Sequence, residues 1–145
     1  MTRLLACLPL ALLIGAAPGS HMQPGKWETR IEIIDVKMPG GPPGVAAAMK
    51  GKPKIVTACV TPEQAAQGPR AVTKADPGCK FTRYSMTNGR ISSQLVCSRP
   101  RGTVTMTSEG SYTPTSYTAV GRGVMSGKAP MTITTRTSGR RIGPC

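Results

Sequence analysis

Apolar and polar residues alternate with a period of two along most of this chain, and that pattern predicts strands. From Lys26 to Val36, Trp27, Thr29, Ile31 and Ile33 fall on one face while Lys26, Glu28, Arg30 and Glu32 fall on the other. A short β-branched run follows at Ile55–Val60. Lys80–Met86 and Arg90–Val96 flank Thr87-Asn88-Gly89, and Asn-Gly between two such runs signals a hairpin because both residues tolerate positive φ. A three-residue loop there would pair Met86 with Arg90 and set Cys79 opposite Cys97. Thr103–Tyr112 puts Val104 and Met106 on one face and its threonines on the other, and Ser116–Met125 and Pro130–Thr137 complete the pattern. Threonine suits the exposed faces because its branched β-carbon fits a strand while its hydroxyl fits water.

The interruptions read as connections. Lys37–Pro53 is rich in glycine and proline and reads as mobile, with only Val45–Lys50 able to form a helical turn or two. Thr61-Pro62-Glu63-Gln64 has the form of a helix start, with Thr61 as N-cap, Pro62 at the first helical position and Gln64 placed to close a capping box. Gly110, Gly121 and Gly123 inside strand segments suggest bends of a curling sheet, which would hide its edges. The expected fold is therefore all-β: an antiparallel meander of about seven strands, forming a curled sheet or small barrel with one short helix.

The first residues change the compartment. Arg3 followed by the apolar run Leu4–Ile14 and the small residues Ala16, Ala17 and Gly19 has the form of a secretory signal, with cleavage expected after Gly19. The run is shorter than the roughly 20 residues a membrane span needs, so no transmembrane segment is expected in the mature chain. Residues 20–145 are then a single β domain, periplasmic or secreted. The whole chain has a formal charge of +13, and loss of Arg3 with the signal leaves about +12. Such a surplus favours an anionic partner, such as an envelope component. The basic residues are spread along the strands, however, and the aromatics are only Trp27, Phe81, Tyr84, Tyr112 and Tyr117, too few for the stacking platforms of nucleic-acid readers.

Several short motifs, in order, extend over nearly the whole mature chain. They are Pro24-Gly25-Lys26-Trp27-Glu28, Cys59-Val60-Thr61-Pro62-Glu63-Gln64, Gly78-Cys79-Lys80, Val96-Cys97-Ser98 and Gly139-Arg140-Arg141-Ile142-Gly143-Pro144-Cys145. In this order and spacing the chain resembles the bacterial secreted family called domain of unknown function 3617. Met38-Pro39-Gly40 also recurs in such proteins, whereas Pro114-Thr115 stands where the family often has a Gly-Asp type of turn. The resemblance implies export and a β fold, and it implies no activity.

Cys59, Cys79, Cys97 and Cys145 are the cysteines left after the signal. An exported chain makes them candidates for two disulfides, and three pairings are possible. Cys59 with Cys79 and Cys97 with Cys145 is the preferred pairing, since it closes the Thr61–Gly78 connection and anchors the C-terminal tail. Cys79 with Cys97 is its rival. Closing loops of about 20 and about 50 residues stabilises by roughly 3 and 4 kcal/mol. No C-x-x-C redox motif is present, and the spacings do not suit zinc.

Catalysis is hard to assemble, and no enzyme, cofactor or metal site is expected. His21 is the lone histidine and sits at the predicted cleavage point, so Ser-His or Cys-His activation has no base. Glu28 and Glu32 share a strand face, but among Lys26 and Arg30 they read as a charged exterior rather than an acid pair. Three converging thioethers could bind Cu(I), yet no M-x-M or M-x-x-M motif occurs, and Met106 and Met131 read as inward-facing packing residues. The expected function is a non-enzymatic binding or envelope-associated protein. Trp27, Ile31, Ile33, Val104, Met106 and Ile133 are candidates to face a small apolar ligand, or else to fill the core. The alternative is an exported inhibitor or chaperone-like partner of another envelope protein, acting through the Met38–Lys54 loop.

Overall fold

The computed structural model describes residues 22–68 and 77–145. The expected signal segment and His21 lie outside the described residues. Seven strands, β1 (Gly25–Lys37), β2 (Lys54–Val60), β3 (Cys79–Thr87), β4 (Arg90–Arg99), β5 (Gly102–Tyr112), β6 (Ser116–Met125) and β7 (Met131–Gly143), form a single antiparallel sheet. Two short helices accompany it, α1 (Val45–Met49) and α2 (Pro62–Gln67), where one was expected. β3 to β7 are a plain meander, but the spatial order is β2-β1-β7-β6-β5-β4-β3, because β1 pairs with β7. That long-range pairing carries β7 on to Gly143, six residues beyond the expected Thr137, so Arg140 and Arg141 are strand residues rather than a tail.

The expected closure or curling of the sheet is corrected. The sheet is not closed into a barrel and is not strongly curled, and β2 and β3 remain its two edges. The physical reason is the connection between them. α2 follows β2 directly, and its far end already touches β3, where the Tyr84 hydroxyl donates to the Gln67 carbonyl at 3.4 Å. The helix thus occupies the space in which the two edges would have to meet. Charged residues on the edge strands, Lys54 on β2 and Lys80 and Arg83 on β3, discourage further strand addition.

The hairpin reaches its register by an unexpected route. Asn88 (φ 50°) and Gly89 (φ 72°) make a two-residue turn, so Thr87 rather than Met86 pairs with Arg90. A bulge at Thr82 then shifts the ladder by one residue, and Cys79 lies opposite Cys97 after all. These two cysteines form a disulfide, with an S–S distance of 2.05 Å. The preferred pairing of Cys59 with Cys79 and Cys97 with Cys145 is therefore overturned: the β3–β4 register puts Cys97 directly across from Cys79, within covalent reach of nothing else.

α2 forms as its sequence dictates. The Thr61 Oγ1 accepts from the Gln64 backbone N–H at 3.3 Å, and the Gln64 Oε1 accepts from the Thr61 N–H at 2.9 Å. This closed capping box satisfies donors that a helix start otherwise leaves open. α1, by contrast, has no side-chain cap and no buried residue, and it leans on β1 from within the Gly-Pro connection.

Candidate functional site

Strand alternation and register together decide what each face of the sheet carries. Ile31 pairs with Thr137, Ile33 with Thr135, Gly123 with both Met106 and Ile133, and Met125 with both Val104 and Met131. Residues opposite each other in a ladder share a face. Trp27, Ile31, Ile33, Val104, Met106 and Ile133, the candidates from the sequence, therefore all point to one side, here called the inner face. A bulge at Ile34 changes the parity of β1, so that Val36 joins this face opposite Ile133 and is buried.

The inner face holds two neighbouring hollows. The first, of about 440 Å³, lies beneath α2 and is walled by Trp27, Thr29, Ala58, Ile91 and Tyr117, with Ala65 as part of its roof. Ser93, Ser108 and Thr137 add hydroxyls to its wall, and three further polar groups are engaged. The Trp27 Nε1–H donates to the Gln23 carbonyl at 3.0 Å, and the Thr29 and Tyr117 hydroxyls share a hydrogen bond of 2.8 Å. The Trp27 and Tyr117 rings lie 5.9 Å apart, centre to centre. Gly139 makes room for this pair, since the Tyr117 ring lies where a Cβ on that glycine would be. The surface facing the hollow is mainly apolar, with a few hydroxyls among the apolar groups. Gly110 and Gly121 likewise serve close contact between strands rather than the expected bends: a Cβ on Gly110 would strike the Thr118 carbonyl.

The second hollow, of about 250 Å³, continues along the same strands and is lined by Ile31, Ile33, Val104, Met106, Met125, Met131 and Ile133. Thr29 of the first hollow and Ile31 of the second are successive inward residues of β1, as are Thr137 and Thr135 of β7, so the two hollows adjoin in one elongated, mainly apolar track with hydroxyls at the junction. No residue of α1 or α2 lines this second part. Met106 is 39% exposed, against 3% for Trp27. The sequence missed Met125 and Met131 as a pair, although the Ser126–Pro130 turn between them was the signal that could have aligned them. Tyr117, Ala58 and Ile91 were also missed, each because its inward parity depends on a long-range register.

Across the described residues the core is thin. Only Trp27, Val36, Ala65, Ile91, Cys97 and Tyr112 are buried hydrophobics, and no side chain is completely enclosed. The outer face is mostly threonine, serine and charge, with Ile55, Val120, Val124 and Ile142 exposed among them. Arg90, Glu109 and Arg136 border a broad shallow groove on it, and Glu28 pairs with Arg140 at 2.9 Å on the exposed surface. No group of three His, Cys, Asp or Glu among the described residues could hold a metal ion.

Cys59 and Cys145 are both exposed free thiols. Lys26 pairs with Cys59 on one side and Gly143 on the other, so two further residues carry the chain end across the start of β1 to β2. There the Cys145 thiol is hydrogen-bonded to the Cys59 thiol, which holds its pKa above the ordinary thiol value. Glu63, in the first turn of α2, is shifted the other way, since a hydrogen bond from Thr61 and one from the helix backbone favour its carboxylate.

A family model described as "Protein of unknown function (DUF3617)" matches residues 22–145, and the chain belongs to that family. No curated protein and no solved structure matches it. Among the described residues, no helix is long and apolar enough to cross a membrane.

Proposed function

We propose that this member of the family is a non-enzymatic binding protein that takes a slender apolar ligand along the inner face of its sheet. The observation that supports this reading is the pair of adjoining hollows, about 440 and 250 Å³, walled mainly by aliphatic, aromatic and thioether groups with a few hydroxyls, Thr29, Ser93, Ser108, Thr135 and Thr137, among them. Together they have the size of a small-molecule site, roughly 300–1,000 Å³ and mostly apolar with a few fixed polar groups. A sheet that had only to be stable would cover this face. At 25 cal/mol per Å² or so of apolar area, leaving Met106 39% exposed and its neighbours only partly buried forgoes stability that a second layer or a bound ligand would restore.

The ligand's apolar part lies over Ile31, Ile33, Val104, Met106 and Ile133, and the roofed end beside Trp27 receives its tip. The basic surplus supports an anionic head group at the rim, which joins the two expected partner chemistries, apolar ligand and anionic envelope component, in one molecule. The N-terminal sequence supports action outside the cytoplasm, in the periplasm or beyond. The alternative of an inhibitor or chaperone-like partner acting through Met38–Lys54 is less well supported, because that loop offers only the uncapped, unburied α1 while the inner face stays unfilled. The test is extraction of the protein purified from its native compartment, followed by mass spectrometry of the organic phase. A stoichiometric amphiphile absent from a Met106→Lys control supports the reading, and an empty extract from protein never exposed to detergent contradicts it.

A further inference from the structure

The two remaining cysteines belong to neither the hairpin disulfide nor the apolar track's contact surface at its open end, yet the topology brings them together at one corner. β2 is an edge strand and is held to the sheet only through β1. Its last residues, Cys59 and Val60, border the roofed hollow, and Thr61, the cap of α2, follows at once. β7 lies on the far side of β1, and its final residues cross the start of that strand to reach Cys59.

We propose that Cys59 and Cys145 form a second disulfide that clamps the end of β7 to the root of α2 and thereby fixes the roof of the hollow. The bond forms by exchange with an external disulfide, such as oxidised glutathione or the disulfide form of a protein oxidase: one thiolate attacks it to give a mixed disulfide and release one thiol, the second cysteine displaces the other, and the two protons and two electrons lost from Cys59 and Cys145 end on the two released thiols. Without the bond, the root of α2 hangs on a single strand ladder. With it, the same point is attached to a second strand, and the roof opens less often. This crosslink joins residues 86 positions apart in sequence, as the numbering of Cys59 and Cys145 gives, so it ties together the parts of the fold that local contacts do not. Its exposed position also leaves it open to reduction, whereas Cys97 of the hairpin disulfide is buried.

The test uses the mature chain incubated with oxidised glutathione, mapped by alkylation and proteolysis without reduction, and then followed by amide hydrogen exchange. The expected results are a linked Cys59–Cys145 peptide and exchange at residues 61–68 slowed by about fivefold or more relative to Cys145→Ser, with β4 and β5 unchanged. Cys59→Ser must reproduce the change, since either substitution removes the same bond. Alkylation of both cysteines in the oxidised chain overturns the crosslink. Equal exchange at residues 61–68, or a change confined to one of the two variants, overturns the clamp. Neither readout depends on a bound ligand, so failure here is distinct from failure of the proposed binding function.

Discussion

The two ends of the inner face are built from the same strands and differ in what lies over them. At one end α2 roofs Trp27, Tyr117 and Ile91, polar atoms are paired with one another, and Trp27 and Ile91 are buried. At the other, aliphatic and methionine side chains line a hollow to which neither helix contributes a residue, and Met106 is 39% exposed. The roofed end has the character of a core and the open end that of a binding surface. The composition of the two explains the difference: rigid aromatic groups with polar handles suit a fixed structure, and flexible thioethers suit an adaptable contact.

The largest test of that division is substitution at the roofed end. Trp27→Ala is expected to cost about 3–5 kcal/mol in urea unfolding, while Met106→Ala at the open end is expected to cost about 1–2 kcal/mol, because its side chain is 39% exposed already. Similar losses at both positions would erase the distinction. Next in size is the hairpin disulfide, which belongs to neither end but holds β3 and β4 beneath the face. Replacing Cys79 and Cys97 together by alanine reopens a loop of 18 residues and should lower stability by roughly 3 kcal/mol, seen as a lower urea midpoint. A smaller effect is expected from the roof itself. Thr61→Ala removes the capping box of α2 and should cost about 1 kcal/mol, with faster exchange at Gln64 and Ala65 and no change at Met125 or Met131.

The least of these effects depends on pH. The Glu63 carboxyl is held below its ordinary value when folded, so its contribution to stability is present above the unfolded pKa and is lost as pH falls through the folded one. Acid should therefore loosen α2 slightly before it affects the open end, and Glu63→Gln should remove that early change in a pH series of exchange rates. The exposure of this group keeps the effect small.

Much of the fold was legible because alternation is a local property. The strands, the helix cap at Thr61 and the common side of Trp27, Ile31 and Ile33 within β1 all follow from patterns within one segment, whereas joining them to Val104, Met106 and Ile133 takes the register. What was not legible depends on pairing between distant segments. No local pattern at Ile142 or Gly143 says that β1 will extend β7, and none at β2 says that α2 will fill the gap that a barrel would close. Bulges made the remainder hard to read. Ile34 turns Val36 inward, and Thr82 restores the cysteine register that the two-residue Asn88-Gly89 turn had displaced. The pairing of Cys79 with Cys97 was thus foreseeable as a rival for a reason that proved only half right. The open hollow was visible as apolar positions, but its lack of cover was not, since an uncovered face and a packed one share the same alternation.

The most direct measurement is a fluorescence titration with N-phenyl-1-naphthylamine, a neutral apolar probe, on the wild-type chain, Met106→Lys and Thr61→Ala. If the open end is a binding surface, the wild-type chain takes up the probe saturably, Met106→Lys weakens it by about tenfold or more at unchanged stability, since a tenfold change corresponds to 1.4 kcal/mol, and Thr61→Ala has a lesser effect. Absence of saturable uptake, or equal affinity in the wild-type chain and Met106→Lys, would contradict the assignment of the inner face to an apolar ligand.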